Sequence, residues 1–507
     1  MISGAATVEG TTSLARRHPG LRYNRLGRTG WMVSPAGFGC YRVAAGFDAH
    51  FDAMVYALES GINLIDTSTN YTDGASEQLV GQVLSHMFSE KRMAREEVVV
   101  VSKVGYLQGG NYALSQTRKQ EGRPFPELVP YGKGLEHCVH PEFIADQLDR
   151  SLERLGLETL DLLLLHNPEY YLGWAAKQGR DVNEAREIFY ERMHRAFEHL
   201  EAEVARGRIR GYGISANTFP ACMEDEEFVS LERVCDIAGA ISGENHLRAV
   251  QFPMNLYESG AVLEENQTEG RSLLDVARQA QLGVLVNRPL NAFDGNRLVR
   301  LADVEKTRRH SDEEVIQAIT LMNKSEKVLW RKLLPAMELP MPLMNRIKNQ
   351  AAVGDQLKHH WRNFGRYERW RQFRDGLLWP YMQGVFDFLQ PYAGQVDGLG
   401  PWLVSHRGKL EEAVDAVGSL YLESACREMD ALRRKVTAAD GDWDVDAGLS
   451  QLALRALRST AGVHSVLVGM RRVSYVADVL NELGRPVPVA ERVDSWRRMK
   501  AALAAHP

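Results

Sequence analysis

From about residue 36 the chain alternates between two patterns. Short runs of Val, Ile and Leu, apolar at nearly every position, precede longer segments whose apolar residues recur at spacings of three and four. The first pattern belongs to a strand buried on both faces, the second to an amphipathic helix lying on a sheet. The strands predicted are Ala36–Cys40, Ile62–Asp66, Glu97–Lys103, Leu160–His166, Ile209–Ser215, Arg248–Phe252, Gly283–Asn287 and His464–Gly469. Between them, Phe143–Leu155 carries Ile144, Leu148, Leu152 and Leu155 on one face. Phe189–Ala205 ends ahead of Gly207, and Ser272–Leu282 opens on a Ser and closes before Gly283. Eight strands alternating with helices is the count of an α/β fold of the (β/α)8 TIM-barrel type. No G-x-G-x-x-G follows the first strand, which argues against a doubly wound dinucleotide fold.

The alternation stops once. Residues 298–445 have strong helix-forming composition and almost no strand signal, too long a stretch for an ordinary connection. They read as a helical insertion between strand seven and the last helix–strand pair. Residues 22–297 then form the first part of the barrel, 446–507 complete it and add a C-terminal helix, and 1–21 are expected as a flexible tail. The insertion follows the C-terminal end of strand seven, the face on which barrel active sites form. A lid or substrate-recognition role is set against a bundle that adds stability or joins a homo-oligomer.

Three of the polar residues that interrupt the apolar runs stand at strand ends: Asp66, Lys103 and His166. Tyr71 follows its strand by a few residues. A parallel barrel gathers such positions on one face, so an acid, an amine, an imidazole and a phenol converge. Reducing a carbonyl requires a hydride on carbon and a proton on oxygen; a nicotinamide supplies the first and the protein the second. Tyr71 is the candidate general acid. A free phenol titrates near 10. Lys103, its charge held by Asp66, is expected to lower that value, and His166 to hydrogen-bond and orient the substrate oxygen.

The other features narrow the class. The chain has 507 residues, 44% hydrophobic and 25% charged, with a net charge of −5, so it offers no basic excess for a nucleic-acid partner. Five cysteines without a CxxC pair fit a reducing compartment. No run reaches transmembrane length, and the N-terminus lacks a signal-peptide core. A cytoplasmic enzyme with no membrane partner is expected. Glu136-His137-Cys138-Val139-His140 matches no standard zinc spacing, so no metal is assigned. In the insertion, Trp361, Phe364, Tyr367, Trp370 and Phe373 alternate with arginines. They read as one helix face packed on the barrel or on a second subunit, with the Arg stems snorkelling, rather than as a nucleic-acid surface.

The motifs occur in a telling order: L-G-R-T-G-W-M-V-S-P-A-G-F-G-C (26–40), I-D-T-S-T-N-Y (65–71), V-V-V-V-S-K (98–103), L-D-L-L-L-L-H (160–166), G-R-I-R-G-Y-G-I-S (207–215), V-Q-F-P-M-N (250–255) and V-H-S-V-L-V-G-M-R (463–471). Together they resemble the aldo-keto reductases over residues 22–297 and about 446–482. The resemblance implies an NAD(P)H-dependent oxidoreductase acting on a small-molecule carbonyl or alcohol, with Asp66, Tyr71, Lys103 and His166 as its tetrad. It implies that Ser215 and Gln251 hydrogen-bond the nicotinamide carboxamide. Asp66 would lie near the nicotinamide ribose, and Gly39, Cys40 and Tyr41 would border the ring. Arg288, Pro289 and Leu290 follow strand seven in the cofactor-binding region, where the Arg would contact a phosphate. Gly469, Arg471, Arg472, Tyr475 and Asp478 keep the spacing of an adenosine site.

Three departures stand out. Ala216 replaces a frequent Asn, Asn287 replaces a frequent stacking aromatic, and Tyr475 and Val479 replace a frequent Arg and Asn. Arg471 and Arg472 at a helix start would suit a 2′-phosphate, which favours NADP(H) over NAD(H). Tyr41, Tyr106, Tyr112, Tyr170, Tyr171, Trp174 and Tyr257 crowd the loops over the barrel mouth and suit a carbonyl compound or a sugar. The alternative reading is a nucleotide-binding regulatory or interaction subunit built on a reductase-like barrel.

Overall fold

Eight parallel strands close into a barrel in the computed structural model, which describes residues 1–295, 297–304 and 308–505. We number these barrel strands β1 (Ala36–Gly39), β2 (Leu64–Asp66), β3 (Val99–Val104), β4 (Leu160–His166), β5 (Ile209–Ser215), β6 (Leu247–Pro253), β7 (Gly283–Asn287) and β8 (Ser465–Val468). Each pairs in parallel with its successor, and β8 returns to β1. The (β/α)8 architecture read from the apolar runs is therefore the observed one. β3 and β4 are buried at every position. Leu64, Val99, Val101, Leu162, Leu164, Ala249, Leu285 and Leu467 form an interior cluster with Leu26, Trp31 and Val33 of a short hairpin. Each Leu or Val among them contributes about 1.5–3 kcal/mol by leaving water. At the bulge of β5 against β6, Gly213 passes so close that a Cβ there would lie 2.0 Å from the Ala249 carbonyl oxygen. Only glycine fits this approach.

The helices start where a side chain can satisfy their free amides. His140 caps Pro141–Leu155, which stops at Gly156 in the left-handed conformation. Asp181 accepts from the Asn183 and Glu184 amides at 3.0 Å each, so Val182–Ala205 begins earlier than the apolar spacing predicts. Ser272 and Asp275 form a capping box ahead of Leu273–Gln279.

The N-terminal residues are not a loose tail. Ile2 donates to the Gly156 carbonyl at 2.6 Å and accepts from Glu158 at 2.9 Å. Val8–Arg17 is a helix capped by Thr7, with Leu14 buried. The amide of Ala6 donates to Asp161 Oδ1 at 2.7 Å, while Asp161 Oδ2 accepts from Arg95 at 2.8 Å and from the Val100 amide at 2.7 Å. A fully buried carboxylate thus ties the start of the chain to β3 and β4. Polar, small residues hid this, because the contact lies far away in sequence.

The long connections after β3 and β4 are also structured. The first contains Gly109–Gln120 and a three-stranded antiparallel sheet centred on Leu135–His137; the second contains the helix Tyr170–Lys177.

The chain divides into two compact units, Met1–Arg297 with Lys435–Pro507, and Leu298–Arg434. The second unit is helical and has its own core, built from Trp361, Trp370, Met382, Phe386, Trp402 and Leu410 among others. The expected single aromatic face is not one helix. The chain breaks between Val353–His360 and Tyr367–Phe373, and Trp370 packs at 4.9 Å from Phe364 inside this unit's own core. Among the described residues no helix is long and apolar enough to cross a membrane.

Replacing Asp161 by Ala strands the Arg95 charge and two buried amides. Chemical denaturation should show a loss of about 3–5 kcal/mol, the cost of breaking a buried ion pair on one side.

Candidate active site

Strand register sets the site. Asp66 lies beside Gly39 of β1 and Val101 of β3. Ser215 of β5 lies between His166 of β4 and Gln251 of β6. Gly39, Asp66, His166 and Ser215 are the last residues of their strands and Gln251 lies two residues from the end of its own, so the side chains share one end of the barrel.

Lys103 stands at its centre, fully buried. Its ammonium donates to Asp66 Oδ2 at 2.7 Å, to the Thr67 carbonyl at 2.8 Å and to Tyr71 Oη at 3.2 Å. An ammonium has three donors and no acceptor, so these contacts exhaust it and the phenol oxygen must accept. The proton of Tyr71 is therefore directed away from Lys103. Burial disfavours the ammonium, but Asp66 and Tyr71 outweigh this and hold its pKa above the ordinary lysine value. Burial raises the Asp66 carboxyl, against the pull of Lys103 and Gln251.

The phenol corrects one expectation. Burial pushes the Tyr71 pKa up, Lys103 pulls it down, Asp66 raises it again, and the balance lies above the ordinary phenol value. The proximity of Lys103 is as expected, but the desolvation that accompanies it dominates. Tyr71 is a protonated acid.

His166 is neutral. Burial lowers its pKa well below the usual value, with Lys103 and His137 adding to the effect. Its Nδ1 lies 3.0 Å from Ser68 Oγ, and its carbonyl lies 2.7 Å from His137 Nε2. Aromatic edges surround it: Tyr71 at 5.9 Å and Tyr106 at 4.7 Å between centroids. Tyr170 packs on Tyr106 and stacks on Tyr131. Tyr41, 65% exposed, sets its ring edge-on to Tyr71 at 5.3 Å. Of the aromatics expected over the mouth, Tyr106 and Tyr171 are instead buried.

Four of the ten described non-glycine residues with positive φ flank the site. Thr72 and Asp73 after Tyr71, Asn167 after His166 and Arg288 after Asn287 all have positive φ without being glycine. Such residues cluster where surrounding structure holds a functional geometry.

The residues singled out for a cofactor divide into two groups. Ser215 donates to Gln251 Oε1 at 3.2 Å, and Gln251 donates to Asp66 Oδ1 at 2.8 Å, joining them to the Lys103 cluster. Asn287 donates to the same Gln251 oxygen at 3.4 Å, and its own Oδ1 is buried without a partner among the described residues. Cys40, whose amide donates to the Asp66 carbonyl at 2.9 Å, is buried beside them. Other residues are occupied or stand apart. Arg288 is paired with Glu258 at 3.1 Å rather than left for a phosphate. Pro289 is buried and Leu290 half-buried. Asp478 accepts from Ser450 and Gln451 at 2.7 Å each, which turns it toward the helix Leu449–Arg458. Gly469 is open, Arg471 half-exposed and Arg472 exposed at the start of the helix Val473–Leu483, with Arg472 6.0 Å from the Tyr475 ring. The side chains of the Glu136–His140 segment diverge: Glu136 accepts from Ser115 at 2.6 Å, Cys138 contacts Pro126 and His140 caps a helix.

Two features went unread. Ser68 and Asn70 sit inside the Tyr71 motif: Ser68 Oγ lies 3.0 Å from His166 Nδ1 and donates to Asn70 Oδ1 at 2.7 Å. Glu169, three residues past His166, is buried. It accepts from the Asn217 amide at 2.8 Å, and its other oxygen has no partner among the described residues. Burial pushes its carboxyl up to about 8. A polar residue in a loop gives no sequence sign of such burial.

The model of the Aldo/keto reductase family matches residues 37–328. Over 149 residues the chain is 31% identical to the NADH-specific methylglyoxal reductase of Escherichia coli, covering 28% of this chain and 40% of that protein. Over 204 residues it is 28% identical to the D-threo-aldose 1-dehydrogenase of a Pseudomonas species, covering 37% and 51%. The chain thus spans about half, or less, of the length of these curated relatives. Among solved structures, an aldo-keto reductase of Bacillus halodurans in its holo form aligns over 95% of this chain and 96% of its own, with 13% identity and a TM-score of 0.44. An aldo/keto reductase of Klebsiella pneumoniae in complex with NADP and acetate covers 53% and 68%, with 21% identity and a TM-score of 0.33.

Glu169 has a pH signature. An unfolded carboxyl titrates near 4.5, the folded one near 8. Between these values the folded state binds the extra proton, so stability falls as pH rises and the penalty is complete above 8. Glu169→Gln, which has no proton to lose, should match the parent at pH 4 and exceed it increasingly toward pH 9 in urea melts.

Proposed function

The chain belongs to the aldo/keto reductase family, and on that premise we propose that it is an NAD(P)H-dependent oxidoreductase interconverting a small carbonyl compound and its alcohol, with Tyr71 as general acid and base. The single observation that carries this reading is the Lys103–Tyr71 contact at 3.2 Å, in which the phenol accepts and so keeps its own proton for another oxygen. Burial keeps that proton in place at neutral pH. Neutral His166 offers one ring nitrogen to the same oxygen and orients the carbonyl. Lys103, held by Asp66, stabilises the phenolate left after transfer. The aromatic edges of Tyr41, Tyr106 and Tyr170 keep water from the reacting oxygen.

The residues present fit a nicotinamide. An acceptor buried without a partner, Asn287 Oδ1, stands beside the Ser215–Gln251 pair, as an amide-bearing ring requires. When bound, the nicotinamide supplies the hydride. Ser215, Gln251 and Asn287 would hold its carboxamide end. Arg471 and Arg472, at the start of Val473–Leu483, would hold the phosphate end and favour NADP(H) over NAD(H).

Tryptophan-fluorescence titration with NADPH and then NADH tests the cofactor, with tighter binding of NADPH expected. Tyr71→Phe should retain that binding while reduction of methylglyoxal falls by about 10²–10⁴-fold, the usual weight of a general acid. Binding of neither coenzyme by the folded chain would replace this reading with that of an interaction subunit.

A further inference from the structure

At the other end of the barrel from Asp66 and His166, the approaches to β7 and β8 and the hairpin ahead of β1 line a cavity of about 660 Å³. Small-molecule sites commonly occupy roughly 300–1,000 Å³. The walls carry Arg25, Arg28, Arg278 and His464 and no carboxylate, in a chain whose net charge is −5. Two glycines in the left-handed region shape it. A Cβ at Gly27 would strike the Gln281 carbonyl, and one at Gly462 would lie 2.9 Å from Arg278 Cδ. Backbone and side chain approach there more closely than another residue allows.

The donors are oriented but not neutralised. The Arg28 amide donates to the Gln281 carbonyl at 2.7 Å. Its guanidinium is held by neutral acceptors: Nε donates to the Leu247 carbonyl at 3.1 Å and Nη2 to Asn245 Oδ1 at 2.6 Å. Its charge is felt nearby, since burial first and Arg28 second lower the Arg248 pKa. Arg25 is exposed, and its side chain has no hydrogen bond or ion pair among the described residues. The Val284 amide donates to His464 Nδ1 at 3.0 Å, so that nitrogen holds the ring's lone pair. Burial lowers the His464 pKa to about 4, which leaves a neutral ring with its proton on Nε2. That N–H has no partner among the described residues. Arg278 does pair, with Glu491 at 2.5 Å, but both side chains are largely open to water, where such a pair contributes little.

Charged donors without counter-charges around one cavity call for an anion. They stand on three separate segments, at residues 25–28, 278 and 464. A phosphate group presents three terminal oxygens and up to two charges, whereas a carboxylate presents two oxygens in one plane.

We propose that this cavity binds the phosphate group of a small phosphorylated molecule, with Arg25, Arg28 and His464 as donors and Arg278 adding charge. The site is separate from the Lys103 cluster and from Arg471 and Arg472, and it does not depend on the oxidoreductase reading.

Isothermal titration calorimetry of the full chain with pyrophosphate, at constant ionic strength and without divalent cations, tests it. The background is the Arg471→Ala, Arg472→Ala double variant, so that the coenzyme-phosphate residues do not contribute. One pyrophosphate should bind per chain, with citrate weaker. Arg25→Gln should weaken pyrophosphate about tenfold, the loss of one charge-assisted hydrogen bond, and Arg25→Glu should abolish binding. Arg25 has no side-chain bond to lose, so both variants should keep the circular dichroism of the background. No saturable binding, an affinity unchanged by Arg25→Glu, or citrate bound as tightly as pyrophosphate would each overturn the proposal.

Discussion

A lysine ammonium with no exposure to water is the constraint around which the barrel end is organised. Removing such a charge from water costs several kcal/mol, and that cost is offset only when every N–H finds an acceptor. The three acceptors come from β2 and the turn after it: the Asp66 carboxylate, the Thr67 carbonyl and the Tyr71 phenol. β2 and β3 must therefore pair in one register, Asp66 opposite Val101, for the interior to be tolerable. Gln251 carries the same demand to β6 by holding the second Asp66 oxygen, and Ser215 and Asn287 carry it to β5 and β7. The chemistry of the site and the closure of the barrel are in this sense one problem.

The same burial reverses a simple expectation about acidity. Lys103 stabilises a phenolate, yet the desolvated pocket that strengthens this attraction penalises the phenolate itself, and the penalty is larger. Lys103 thus serves the resting site less by acidifying Tyr71 than by occupying a phenol lone pair and fixing where the phenol proton points. In the proposed reaction its charge would count most after the proton has left, when an anion beside it has no water to turn to.

What was legible in the sequence follows from range. The barrel strands show as runs of apolar residues because each is buried on both faces, a property of the local pattern. Asp66, Lys103 and His166 were legible because a polar residue ending such a run has only the barrel mouth to face. The N-terminal segment was not, because what holds it is Asp161, 155 positions from Ala6. Arg288 and Asp478 show the same limit: one is paired with Glu258 and the other is turned to Ser450 and Gln451, and no spacing rule reports either partner. Ser68 lay in plain view within the Tyr71 motif, but its contact with His166, two strands away, did not.

The helical unit Leu298–Arg434 shows why a barrel tolerates so large an addition between two neighbouring strands. β7 and β8 pair directly, Leu285 with Ser465 and Val286 with Val466, although the whole unit intervenes in sequence. The entropy of closing a connection grows only logarithmically, about 0.6 kcal/mol for each doubling in length, so a long connection is barely costlier than a short one if its own residues are ordered at no expense to the barrel. This unit meets that condition. Its tryptophans 361, 370 and 402 are buried in its own core, and the Tyr421 hydroxyl donates to the Trp361 carbonyl at 2.6 Å. The alternation of aromatic and arginine residues that suggested a surface for another molecule is explained by this interior. The aromatic rings are already packed, and of the arginines between them Arg362, Arg366 and Arg369 are exposed and Arg371 half-buried, with Arg362 paired to Asp312.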